Sequence, residues 1–188
     1  MAASFLVSTA VVSIAEIGDK TQLLSLLLAA RFRKPAPIIV AIFLATLLNH
    51  GLAALLGEWV RGLLSPEAAR WLLGLSLLAI AAWALKPDKL DGTAPSATGL
   101  GVFTVTLVSF FFAEMGDKTQ VATVVMAAEY RDFAAVVMGT TMGMMIANVP
   151  VVILGGAAGH RIPLHIVRRI AAAMFAALAV FVLSGRGL

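Results

Sequence analysis

The sequence has no cysteine and few charged residues. Of its 188 residues none is Cys, only 13% are Asp, Glu, Lys or Arg, and 61% are hydrophobic. Without cysteine there are no disulfides and no thiolate metal sites, so any metal site must use oxygen or imidazole ligands. The scarcity of charge, with a mean hydropathy of +0.98, excludes a water-soluble domain, because one core cannot hide so much apolar surface. An integral membrane protein is therefore predicted.

Signatures of enzymes are also absent. The sequence contains no H-E-x-x-H, no G-x-S-x-G and no cysteine nucleophile, so we expect neither an enzyme nor a cofactor. The net charge is +4, but the basic residues flank apolar segments, where such residues set membrane orientation. Binding to nucleic acid is therefore not expected. The N-terminal segment lacks the positive region of a signal peptide, and we expect it to be retained as the first helix.

Six apolar segments are separated by charged residues, Pro and Gly. They cover 4–30, 36–57, 69–85, 99–128, 133–156 and 164–184. Each approaches or exceeds the roughly 20 residues that a helix needs to cross a membrane. This predicts an all-α membrane protein with six transmembrane helices. The first and fourth segments are long enough to contain a break, and Gly18 and Gly116 are the natural places for it.

The two halves of the chain resemble each other. At an offset of 98 positions, residues 5–33 match residues 103–131 with 12 identities in 29 positions. The second spans align at an offset of 99, which pairs Asn49 with Asn148 and leaves His50 without a polar counterpart. The match predicts an internal repeat.

The repeat predicts the domain organisation. Residues 1–85 form the first three-helix repeat, 86–98 a polar linker, and 99–188 the second three-helix repeat. An odd number of spans per repeat gives the two repeats inverted orientations, as in many secondary transporters. The odd-numbered loops carry eight Lys and Arg residues against four on the other side. We therefore predict cytoplasmic odd loops and both termini outside a cell membrane, a bacterial inner membrane in the simplest case.

Two short motifs place charges inside apolar segments. EIGDKTQ begins at Glu16 and EMGDKTQ at Glu114, although each charge in hydrocarbon costs about 2.5–3.5 kcal/mol or more. In a continuous α-helix, Glu16, Asp19 and Lys20 share one face. Inverted symmetry brings the second motif to the same depth near mid-membrane, so we expect the two motifs to meet.

The charge balance of the two motifs points to a cation. Four carboxylates and two lysines leave a formal excess of two negative charges, which a divalent ion would cancel; a buried structural salt-bridge network is the alternative. Oxygen ligands favour Ca²⁺, Mg²⁺ or Mn²⁺. The other polar residues of these segments either support the site or bond between helices: Lys20, Thr21, Gln22, Asn49, Lys118, Thr119, Gln120 and Asn148. His50 is either a packing residue or a proton shuttle.

Two copies of E-x-G-D-K-T in a six-span chain resemble a family of small cation/proton exchangers. This family includes Golgi manganese/calcium exchangers, chloroplast relatives and bacterial manganese exporters. Both motifs match its pattern residue for residue, which implies that the cation is bound by Glu16, Asp19, Glu114 and Asp117. The resemblance also implies transport of Mn²⁺ or Ca²⁺ against protons, and the short linker resembles that of the minimal bacterial form.

These observations together predict a secondary transporter. We expect it to export divalent cations, Mn²⁺ before Ca²⁺, in exchange for protons. Two alternatives stay open: a related exporter of another solute, such as a basic amino acid, and a sodium-coupled cation exchanger.

Overall fold

The computed structural model describes residues 1–87, 101–154 and 164–185. Within these ranges the chain forms eight α-helices and no strand. They are α1 Ala2–Glu16, α2 Lys20–Phe32, α3 Pro35–Leu63, α4 Pro66–Ala84, α5 Val102–Glu114, α6 Lys118–Tyr130, α7 Phe133–Leu154 and α8 Leu164–Leu183. The predicted all-helical class is confirmed. Most of the predicted linker at 86–98 lies outside the described residues.

Several of these helices are long and apolar enough to cross a membrane. The helices α3, α4, α7 and α8 each meet this condition, and α1 with α2 form one further candidate span that is bent by 68°. The helix α5 is apolar but has only 13 residues, which is about 20 Å of helix. The described part of the chain thus has four candidate spans, or five with the bent pair.

Both motif-bearing segments break at their glycines. Gly18 has a φ of 79° and Gly116 a φ of 72°, a conformation that glycine adopts without the steric cost of a Cβ. The predicted breaks are therefore confirmed. The expectation that Glu16, Asp19 and Lys20 share one helix face is wrong, because α1 ends at Glu16 and Asp19 is the extended N-cap of α2.

Each break is held by a glutamine from the same motif. The backbone N–H of Gly18 donates to Oε1 of Gln22 at 2.8 Å, and that of Gly116 donates to Oε1 of Gln120 at 2.7 Å. A helix break leaves backbone donors without their usual carbonyl partners. The final Gln of each motif supplies one of the missing acceptors.

The helices pack in pairs that combine the two halves of the chain. The most extensive contacts join α1 to α7, α4 to α8, and α3 to both α5 and α6. Where α1 meets α7, Gly139 and Gly143 allow a close approach. A Cβ at these positions would lie 2.6 Å from the carbonyl oxygen of Phe5 and 2.7 Å from that of Thr9. The seam between α1 and α7 is therefore tightly closed.

Most buried positions of α3 and α7 coincide at an offset of 98. Eight of the ten buried residues of α3 have buried residues 98 positions later: Ile38, Ala41, Ile42, Ala45, Thr46, Asn49, His50 and Ala54 correspond to Val136, Gly139, Thr140, Gly143, Met144, Ala147, Asn148 and Val152. Of the other two, Ala53 corresponds to the half-buried Val151, and the counterpart of Gly57 lies outside the described residues. An offset of 98 therefore fits the buried face of α3 better than an offset of 99, since at 99 the buried Thr46, His50 and Ala54 would correspond to Met145, Val149 and Ile153, none of which is buried. At this offset of 98, His50 corresponds to Asn148.

Candidate metal centre

Three carboxylates from the two motifs converge at the helix breaks. Glu16, Asp19 and Asp117 each offer an oxygen, and these oxygens all lie within 4.8 Å of one another. The three residues are 0%, 1% and 1% exposed. Glu16 is the last residue of α1, whereas Asp19 and Asp117 precede the first residues of α2 and α6. The two breaks thus bring together residues almost 100 positions apart in the chain.

The two lysines of the motifs pair crosswise. Nζ of Lys118 contacts Oδ1 of Asp19, and Nζ of Lys20 lies 3.9 Å from Oδ1 of Asp117. The Lys118 side chain is buried, whereas that of Lys20 is 30% exposed. Each motif therefore supplies the ammonium group that faces the aspartate of the other motif.

Glu16 is surrounded by polar groups of α2 and α7. The hydroxyl of Thr21 donates to its Oε1, and Nδ2 of Asn148 lies 3.5 Å from the same oxygen. Oδ1 of Asn148 in turn accepts a hydrogen bond of 2.7 Å from Ser25. Ser25 was not recognised in the sequence, although its position matches Thr123 at the offset of 98 and lies one turn after Thr21.

Glu114 has different surroundings. Nε2 of the fully buried His50 lies 3.7 Å from Oε2 of Glu114, and Oγ1 of Thr119 lies 3.5 Å from the same oxygen. Glu114 is not part of the three-carboxylate group. The structure therefore assembles three of the four predicted ligands and places the fourth beside His50, a residue whose role the sequence left open.

The remaining candidate supporting residues connect helices. Nε2 of Gln120 donates to Oδ1 of Asn49 at 3.2 Å, and Nδ2 of Asn49 donates to the carbonyl of Phe111 at 2.9 Å. Nε2 of Gln22 donates to the carbonyl of Ala147 at 3.0 Å. Polar bonds of this kind hold helices together in a membrane. These amides fix the positions of the breaks instead of pointing at the carboxylates.

Several carboxylate oxygens at the centre lack hydrogen-bond donors. Oε2 of Glu16, Oε1 of Glu114 and Oδ2 of Asp117 are buried, and no donor for them occurs among the described residues. Buried polar atoms are normally hydrogen-bonded, so such exceptions indicate a proton, a water or an ion. The chemistry of these oxygens suits a hard cation.

Comparison with known proteins identifies the family. The sequence model of the family described as "Divalent cation/proton antiporter GDT1" matches residues 4–92 and 102–186. These ranges include both motifs and all eight helices except the first two residues of α1. The chain belongs to the GDT1 family.

Individual GDT1-family relatives cover nearly the whole chain. A Vibrio cholerae protein named "Putative manganese exporter" is 52% identical over 175 residues, which are 93% of this chain and 87% of that protein. The rice (Oryza sativa subsp. indica) proteins "GDT1-like protein 4" and "GDT1-like protein 3" are 27% and 25% identical, over 92% of this chain and 70% and 71% of their own length. No solved structure matches the chain. A transmembrane cation/proton antiporter family agrees with the apolar helices and with the predicted class of secondary transporter.

Proposed function

We propose that this protein exports divalent cations from the cytoplasm, Mn²⁺ in preference to Ca²⁺, in exchange for protons. The observation that carries the proposal is the group of three buried carboxylates, Glu16, Asp19 and Asp117, whose oxygens lie within 4.8 Å of one another. In this proposal the three carboxylates bind the ion directly, and Glu114 is the fourth acidic group of the site.

The spacing of the carboxylate oxygens supports a single bound ion. Oxygen ligands lie about 2.0–2.1 Å from Mg²⁺ and about 2.3–2.6 Å from Ca²⁺, so oxygens on opposite sides of one ion are about 4–5 Å apart. The separation of at most 4.8 Å among the three oxygens falls in this range.

The kind of ligand and the family support Mn²⁺. Carboxylate oxygens prefer hard cations, and the whole sequence has no cysteine that would favour a soft metal. The relative with 52% identity is named as a manganese exporter. Both considerations favour Mn²⁺ over Cu⁺ or Zn²⁺, and the name of the relative favours it over Ca²⁺.

The charge of the centre supports exchange against protons. Two lysines, Lys20 and Lys118, face two of the four carboxylates, which leaves a formal excess of two negative charges. A divalent cation cancels this excess, and protons on the carboxylates cancel it when the cation has left. Since metal and protons compete for the same oxygens, binding of one releases the other, which couples their movements. An empty, charged site would be costly to move across the membrane.

The proposed architecture has six spans in two inverted repeats. In it α1 with α2, and α5 with α6, each form one span that is broken at the motif. The excess of Lys and Arg in the odd-numbered loops favours cytoplasmic odd loops, with both termini on the outer side of a bacterial cell membrane. In this arrangement the helix breaks lie at the level where the two repeats meet, as in other transporters with discontinuous helices.

Reconstitution into liposomes tests the proposal. Liposomes with an acidic interior would be given external Mn²⁺, and its entry would be followed by quenching of a trapped metal-sensitive dye while a trapped pH dye reports the interior. We expect Mn²⁺ entry and internal alkalinisation to require each other. We expect the single variants Glu16→Gln, Asp19→Asn, Glu114→Gln and Asp117→Asn to reduce the initial rate by more than about tenfold, which is about 1.4 kcal/mol on the barrier.

Controls separate the remaining possibilities. Glu67→Gln removes an exposed carboxylate in the first turn of α4 and should keep the full rate. Mn²⁺ entry that follows a sodium gradient and ignores the pH gradient would refute proton exchange. Uptake of arginine or lysine without Mn²⁺ uptake would refute the cation as the substrate. Normal rates in two or more of the four carboxylate variants would favour a structural salt-bridge network.

A further inference from the structure

Two fully buried hydroxyl groups occur at matching positions of α1 and α5. Ser8 and Thr106 are 98 positions apart and both are 0% exposed, and neither hydroxyl has a hydrogen-bond partner among the described residues. Other hydroxyls of α1 bond within the helix: Thr9 donates to the carbonyl of Phe5 at 2.8 Å, and Ser13 donates to that of Thr9 at 2.7 Å. An unsatisfied buried hydroxyl costs about 1–3 kcal/mol, so its occurrence at two matched positions requires a cause.

Each hydroxyl lies on the same helix face as a motif glutamate. Ser8 precedes Glu16 by eight residues and Thr106 precedes Glu114 by the same number, which is two i, i+4 steps and about 12 Å along a helix. The intermediate residue on each face is apolar and fully buried. It is Val12 in α1 and Phe110 in α5.

The hydroxyl of Ser8 lies towards one end of the molecule. One turn before Ser8, the hydroxyl of Ser4 lies 3.3 Å from Oδ2 of Asp132, next to the start of α7. Arg131, which precedes Asp132, lines a cavity of about 240 Å³ together with Arg61 near the end of α3. Ser4 and Ser8 thus place two hydroxyl groups on α1 between this end of the molecule and Val12, which lies between Ser8 and Glu16 in the sequence.

The hydroxyl of Thr106 lies towards the opposite end. The helix α3 is about 43 Å long, at 1.5 Å per residue. It begins at Pro35 and ends at Leu63, close to the cavity that Arg61 and Arg131 line. The helix α2 leads from the break to its C-cap Arg33, two residues before Pro35, the first residue of α3. The helix α5 packs against α2 and α3, so Thr106 belongs to the half of the molecule that ends at Arg33.

We propose that Ser8 and Thr106 bind the hydrated cation on two half-pathways, one on each side of the carboxylates. This inference rests on the proposed transport of a divalent cation. Hydroxyl oxygens and retained water molecules are acceptable ligands for such ions. Val12 and Phe110 form the apolar barriers that separate each hydroxyl from its glutamate when the half-pathway is closed. Opening of the seam between α1 and α7 gives the ion access through Ser8, and opening between α3 and α5 gives access through Thr106.

Single cysteine variants test this arrangement, because the natural chain has no cysteine. Ser8→Cys and Thr106→Cys would be exposed to a positively charged, membrane-impermeant thiol reagent, applied to intact cells or to inside-out vesicles. We expect each cysteine to react from one side only, and the two from opposite sides. Val11→Cys is the matched control, since Val11 is buried in α1 but lines an apolar groove against α8. It should not react from either side.

Removal of the hydroxyls gives an independent readout. Ser8→Ala and Thr106→Ala should lower the initial rate of Mn²⁺ transport about tenfold, which is about 1.4 kcal/mol on the barrier, while thermal stability is unchanged or higher. Ser13→Ala, which removes a hydroxyl bonded within its own helix, should keep the transport rate. A purely structural role would instead lower the stability of the Ser8 and Thr106 variants.

The outcomes separate this inference from the proposed function. If the natural protein transports no divalent cation in liposomes, the proposed function fails whatever the cysteines do. If it transports Mn²⁺ but both cysteines react from the same side, or react no faster than the Val11→Cys control, the half-pathways are wrong. Full Mn²⁺ transport by both alanine variants would also overturn them.

Discussion

Replacing Gly143 by alanine should push α1 away from α7 and weaken the cation site. A Cβ at position 143 would lie 2.7 Å from the carbonyl oxygen of Thr9 and 3.0 Å from the backbone nitrogen of Ser13. Ordinary Cβ contacts begin at 3.4 Å, so the closest contact falls short by about 0.7 Å. These neighbours are backbone atoms, which cannot rotate away as a side chain does. The whole of α1 must therefore move.

The expected magnitude follows from two opposing effects. Overpacking of this kind costs about 1–3 kcal/mol, and the better helix propensity of alanine over glycine offsets about 1 kcal/mol of it. We expect a net loss of stability of up to about 2 kcal/mol. The movement also carries Glu16, whose carboxylate lies 3.5 Å from Nδ2 of Asn148 on α7. The concentration of Mn²⁺ that gives half-maximal transport should therefore rise.

Two other glycines of the chain are matched controls. A Cβ on Gly51 or Gly62 of α3 would meet nothing within 4 Å. Gly51→Ala and Gly62→Ala should therefore be neutral or stabilising by up to about 1 kcal/mol. Thermal unfolding can be followed by the fluorescence of the three tryptophans, and Mn²⁺ dependence by the liposome assay. A Gly143→Ala variant that matches these controls in both measurements would contradict the close contact of α1 with α7.

Two further predictions use the same assays. Asp19→Asn removes the carboxylate that faces the buried Lys118 and should lower the free energy of unfolding by about 3–5 kcal/mol. The double variant Asp19→Asn with Lys118→Met should recover most of this stability but not the transport of Mn²⁺. Recovery of both would show that Asp19 does not bind the cation. Gln22→Leu takes the acceptor from the half-buried N–H of Gly18 and should destabilise by about 1–3 kcal/mol. Gln120→Leu, whose bond lies at an exposed position, should destabilise less, and equal losses in thermal unfolding would contradict this reasoning.

The two motifs are equivalent in sequence but not in surroundings. Glu16 faces the amide of Asn148, whereas Glu114 faces the imidazole of His50 at the corresponding position. Glu16 also belongs to the group of three carboxylates whose oxygens lie within 4.8 Å of one another, and Glu114 does not. The inequality arises from residues outside the motifs, so the motifs by themselves do not reveal it.

The sequence by itself determined the class of protein and the places where two helices break. Hydropathy reports the free energy of transferring each residue from water into lipid, and a positive φ at Gly18 and Gly116 depends on the absence of a Cβ. The class of protein and the helix breaks therefore both depend on local properties of the sequence. The doubled motif also predicted four acidic site residues, and the structure brings the oxygens of three of them, Glu16, Asp19 and Asp117, within 4.8 Å of one another. The prediction that Glu16, Asp19 and Lys20 share one helix face was wrong, because Gly18 allows the break and also turns the chain away from helical geometry.

Only the tertiary structure decided which groups face each other. The crosswise pairing of Lys118 with Asp19, and the contact of His50 with Glu114, join residues far apart in the chain. The register of α3 against α7 was equally beyond the sequence, because identical Asn and Gly pairs favour an offset of 99, whereas the buried positions favour an offset of 98. Contacts between distant segments depend on how whole faces pack, and one residue of register rotates a face by about 100°. That rotation replaces Asn49 by His50 as the counterpart of Asn148 at the carboxylates.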